Sequence, residues 1–124
     1  MSSRDEAIKI LDDLLRMEDV LACMIAKKGL EGIVPSNMKV KDVDLWQLIS
    51  KTTDNFFDLI GHFYIYGLSR IYFELGKYTI IIAPISETFS LVVIIPSLAN
   101  MGLLDVEIEN TKRKIEHIVE AQHG

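Results

Sequence analysis

The chain has 124 residues, with 13 Lys and Arg against 18 Asp and Glu and a formal charge of −5. That length predicts a single domain over 1–124, and 49% hydrophobic with 25% charged residues excludes disorder over most of it. The acidic balance argues against a nucleic-acid binder, and the lone Cys23 cannot close an internal disulfide.

The N-terminus, Met1-Ser2-Ser3-Arg4-Asp5-Glu6, has no apolar signal core, which predicts a cytoplasmic protein. Ser3 and Glu6 have capping-box spacing and open a helix. Ala7, Ile8, Leu11, Leu14 and Leu15 recur within it at helical spacing, and it is expected to end near Met17. Val20 to Ala26 is too short an apolar run for a typical helix and predicts a buried strand. Lys27-Lys28-Gly29 turns the chain into a second strand, Leu30 to Pro35. Pro35 cannot donate a ladder hydrogen bond and suits an edge or a strand end.

Asp42 or Asp44 can cap a central helix that runs to about Ile60 and stops at Gly61. Leu45, Ile49, Thr52, Phe56 and Ile60 form the centre of its apolar arc. Leu48 and Leu59 extend it on one side; Trp46, Thr53 and Phe57 extend it on the other. The arc covers about 180°, against the ~100° stripe of a helix resting on one core. Such a helix is expected to touch two things, although one sunk between long loops would read the same way. Gln47, Ser50, Lys51, Asp54 and Asp58 hold the polar side.

Gly67 to Leu75, Tyr78 to Ile85 and Phe89 to Ile95 predict a three-stranded antiparallel meander, its first turn at Gly76-Lys77. Tyr78 to Ala99 approaches the ~20 apolar residues of a membrane helix. Ser86-Glu87-Thr88 in its middle and its prolines, Pro84 and Pro96, favour a hairpin instead. Asn100-Met101-Gly102 opens a last helix with Leu104, Ile108, Ile115, Ile118 and Val119 as its core face. The order is α-β-β-α-β-β-β-α, an α+β chain with one antiparallel sheet covered by helices.

Chemistry-bearing constellations are absent from this pattern. No Gly-rich loop runs into Lys-Ser or Lys-Thr to cradle a phosphate. The glycines, among them Gly29, Gly32, Gly61 and Gly67, are read as turns or element ends. His62, His117 and His123 lack a second Cys or His at metal-ligand spacing. Cys23 sits in an apolar strand, where a small buried thiol is the plain reading. Asp12-Asp13 and Glu18-Asp19 are adjacent in sequence and do not face each other on a helix. No catalytic residue, metal or cofactor is expected, so the chain is read as a non-enzyme.

The run Tyr78-Thr79-Ile80-Ile81-Ile82-Ala83-Pro84-Ile85, a short polar turn and Leu91-Val92-Val93-Ile94-Ile95 resembles the C-terminal half of Roadblock-type domains. So does Ala99-Asn100-Met101-Gly102-Leu103-Leu104, which is similar to their entry into the last helix. The resemblance implies a three-layer α/β/α domain with a five-stranded antiparallel sheet. It further implies dimers paired through their third strands, with the central helices side by side. Members of the family serve as platforms for Ras-like small GTPases or as light chains of motor complexes.

On this reading the dimer interface is expected to use Trp46, Thr53 and Phe57 from the central helix, with Arg70, Ile71, Tyr72, Phe73 and Glu74 from the third strand. A partner is expected on Gln47, Ser50, Lys51 and Asp54. The expected partners are a second copy and a small GTPase or complex subunit, with no nucleic acid and no membrane span. A structural adaptor without a GTPase is the alternative. A profilin-like ligand-binding domain is disfavoured by the lack of any polar constellation.

Overall fold

The computed structural model describes residues 2–36 and 43–123; the side chains at 43–46, 48–49 and 120–123 fall outside that description. The elements are α1 (Ser3–Leu15), β1 (Ala22–Lys27), β2 (Leu30–Ile33), α2 (Val43–Phe63), a 3-10 turn (Tyr64–Tyr66), β3 (Ile71–Leu75), β4 (Tyr78–Pro84), β5 (Phe89–Pro96) and α3 (Met101–His123). The five strands form one sheet in the order β2-β1-β5-β4-β3, every neighbouring pair antiparallel. The element order and fold class are those expected from the sequence.

Strand periodicity divides the core into two layers. Cys23, Ile25, Ile81, Leu91, Val93 and Ile95 project to one face, against Leu11 and Leu14 of α1 and Leu104, Ile108 and Ile115 of α3. Met24, Ile80, Ile82, Val92 and Ile94 project to the other, against Phe57 and Ile60 of α2. With helices on both sides, β4 and β5 are buried on both faces and therefore read as continuous apolar runs. Ser86 closes their hairpin, its Oγ accepting the amides of Thr88 at 3.2 Å and Phe89 at 3.1 Å. No helix among the described residues is long and apolar enough to cross a membrane.

Several details differ from the sequence reading, among them β2, which ends at Ile33 rather than Pro35, and β3, which starts at Ile71 rather than Gly67. Ser2 rather than Ser3 caps α1, its Oγ accepting the Asp5 amide at 3.1 Å. Gly32 lies inside β2 rather than at a turn. A Cβ there would come within 2.7 Å of the Ile25 carbonyl oxygen, so glycine lets β2 approach the irregular step in β1. Gly61 does not stop α2. A helical glycine costs only ~1 kcal/mol, less than the packing of the fully buried Ile60 supplies. The tract ends at Gly67, in the left-handed region at φ 85°, after Tyr64 has donated its hydroxyl to the Ile85 carbonyl at 3.0 Å.

Candidate functional site

The helix α2 is rotated about its axis relative to the arc read from the sequence. Phe57 and Ile60 are fully buried and Thr53 is 1% exposed, so the flank carrying Thr53 and Phe57 rests on the sheet. Phe56 is half-buried and meets Phe73 of β3 edge-on, the ring centroids 5.0 Å apart. This contact places that flank of α2 above β3. Leu59 and Phe63 follow Phe56 by one and two turns on the same flank, and Phe63 is 50% exposed. The Phe63 ring continues towards Tyr66, 6.5 Å between centroids, and Tyr66 is 79% exposed.

The strand β3 completes the surface. It pairs with β4 on one side and is last in the sheet order, so among the described residues no strand lies beside its other edge. Ile71 and Phe73 are half-buried against the α2 layer, whereas Tyr72, Glu74 and Leu75 are exposed. An open strand edge with Leu75 exposed at its end, next to a helix flank that exposes Leu59 and Phe63 and leads on to Tyr66, is a surface of the kind that marks an interaction site.

Arg70 faces inward, away from this surface. Its Nη2 donates to the Asp105 carbonyl oxygen and to Glu109 Oε1, both at 3.1 Å, and its Nη1 donates to the Asp105 carboxylate and the Tyr72 hydroxyl. Burial disfavours the guanidinium charge, but the hydrogen bonds to Tyr72, Glu109 and Asp105 outweigh it and hold the pKa above the ordinary arginine range. The cluster ties the start of β3 to α3.

The expected interface residues therefore separate. Ile71, Tyr72, Phe73 and Glu74 lie on the open edge strand. Thr53 and Phe57, by contrast, are enclosed in the chain's own core. Arg70 precedes the edge strand and is paired with Asp105 and Glu109 of α3. The Trp46 side chain falls outside the described residues. In the expected partner strip, Gln47, Lys51 and Asp54 are exposed, while Ser50 turns to the sheet with its Oγ 3.9 Å from Met24 Sδ. Leu59, Phe63, Tyr66 and Leu75 were absent from the expected set. Phe63 and Tyr66 were signalled by the continuation of the apolar pattern past Gly61, Leu59 by the arc of the helix itself and Leu75 by the end of the third strand.

Against known proteins, no family model matches the chain, and no curated protein matches it. Solved structures do. MglB from Myxococcus xanthus superposes at a TM-score of 0.78 with 19% identity, over 95% of this chain and 90% of that one. The Roadblock/LC7 domain from Streptomyces avermitilis gives 0.68 with 14% identity, over 90% and 96%. An MglB with tetrameric arrangement gives 0.76 with 13% identity, over 98% and 93%. The fold is that of a Roadblock-type domain. In this Roadblock fold the exposed flank of α2 and the free edge of β3 lie on one side of the molecule, and the α1/α3 layer lies across the sheet from α2. Among the described residues no group of three or more His, Cys, Asp or Glu is placed to hold a metal ion.

Proposed function

We propose that the chain, as one Roadblock-like domain over 1–124, pairs with a second copy and that the pair binds and regulates a Ras-like small GTPase. The observation that carries the reading is the α2 flank that exposes Leu59 and Phe63 and leads on to Tyr66, next to an unpaired β3 edge with Leu75 exposed at its end. Joining two β3 edges satisfies backbone groups that would otherwise invite uncontrolled pairing. It also brings two α2 flanks together, so that a two-fold axis repeats the exposed Gln47, Lys51 and Asp54 on one surface. A GTPase would read that composite surface, which neither subunit has alone. In this reading the domain supplies contacts rather than chemistry, and it works where such proteins meet their GTPases, in the cytoplasm.

Affinity capture from the source cell, with a non-hydrolysable GTP analogue in one arm and GDP in the other, tests the proposal. A small GTPase retained in a nucleotide-dependent manner is the expected result. Retention of filament or scaffold proteins alone, equal in both arms, would contradict it and favour an adaptor role.

A further inference from the structure

We infer that a crevice on the α1/α3 side of the sheet docks one large apolar side chain flanked by carboxylates, presented by a partner polypeptide. The crevice lies between the start of α1, the later turns of α3 and the β1–β2 end of the sheet, and its volume is about 130 Å³. Ala7, Ile25, Ile33 and Ile115 form a buried, apolar floor. Phe89 and Ile118 stand half-buried at the mouth.

Charge at the mouth has one sign. Arg4 and Lys27 line the crevice, no carboxylate does among the described residues, and this in a chain of net charge −5. Lys27 is held there, its Nζ 6.0 Å from the centroid of the Phe89 ring. The N-terminal turn of α1, which contributes Ser3 and Arg4 to the lining, adds the positive end of a helix dipole. Asp5 and Glu6 belong to that same turn but do not line the crevice.

Size decides between occupants. A dry apolar cavity of ~150 Å³ takes a molecule the size of benzene. The crevice therefore accepts one phenylalanine- or leucine-sized group and is too small for an acyl chain or a nucleotide. An apolar group that brings negative charge to both sides of itself is an acidic peptide segment with one buried anchor. The crevice is bordered by β1, β2 and β5, whereas β3 is the far edge of the sheet. Docking here leaves the pairing edge free and stands independently of the GTPase proposal.

The test is an NMR titration of the full chain with a capped five-residue peptide carrying phenylalanine at its centre and aspartate at the other four positions. Saturable shifts are expected at Ala7, Ile25, Lys27, Ile115 and Ile118. Replacing the phenylalanine by serine should abolish them. Replacing the aspartates by asparagines, or testing the variant Lys27→Glu, should weaken binding about tenfold. The amide spectrum of the variant reports its fold, and the peptide variants carry the test whatever that spectrum shows. Absence of shifts at these residues, equal binding of the serine or asparagine peptide, or stronger shifts at the same amides from octanoate would each overturn the assignment.

Discussion

Single residues show where local chemistry departs from the general pattern. Ser90 is fully buried in β5, and its Oγ has no hydrogen-bond partner among the described residues. A buried hydroxyl left in this state carries an uncompensated desolvation cost. Ser90→Ala should therefore be neutral or stabilising by up to about 1 kcal/mol in urea unfolding, and a marked destabilisation would mean that the hydroxyl has found a partner. Arg70 is the opposite case. Arg70→Met should cost about 1–2 kcal/mol, discounted for the half-exposed carboxylates, because Asp105 and Glu109 would be left facing each other one helical turn apart. Because the folded-state pKa of Arg70 is raised, its stabilisation is fully present below the pKa of the unfolded guanidinium and should not fade between neutral and moderately alkaline pH. Cys23 was legible from its apolar neighbours: it is buried and donates its thiol to the Leu11 carbonyl at 3.4 Å. Arg70 was not, since its partners lie 35 and 39 positions away on α3 and no local pattern announces them.

At the scale of elements, period-two and period-3.6 patterns, with the punctuation of Ser86, Gly76 and Asn100, were enough to read the elements and their order. Asn100, whose Oδ1 accepts the Gly102 amide at 3.1 Å, starts α3 where the sequence suggested. The rotation of α2 was not legible. An arc of about 180° has no unique centre, and only the sheet decides which half it covers; here it selects Thr53, Phe57 and Ile60. The stop at Gly61 failed because a propensity near 1 kcal/mol is easily overridden by burial on the flanking turn. A substitution exploits this. Gly61 lies within the helix with open space around its Cβ position, so Gly61→Ala should raise stability by about 0.5–1 kcal/mol. A lowered unfolding midpoint would mean that the helix is interrupted there in solution.

At the scale of the molecule, a sheet covered on both faces still has two edges, and β3 is the one next to the exposed flank of α2. Burying aromatic side chains of about 150–250 Å² each at ~25 cal/mol per Å² contributes several kcal/mol before association costs. A phosphate cradle, by contrast, needs converging backbone amides with a cation or metal, and the chain has no Gly-rich loop leading into a Lys-Ser or Lys-Thr pair. Calorimetric titration of the protein with GTP and magnesium should accordingly show no binding heat, and a micromolar constant would point to a ligand-binding domain instead. Pairing through the α2 flank and the β3 edge underlies the rest of the account. Sedimentation equilibrium at micromolar concentration, run on the parent chain and on Phe63→Asp, tests it most directly. The parent should sediment at twice the mass of the chain and the exposed-site variant at a single chain mass with its fold retained; a monomeric parent, or a variant that dimerises as tightly as the parent, would contradict it.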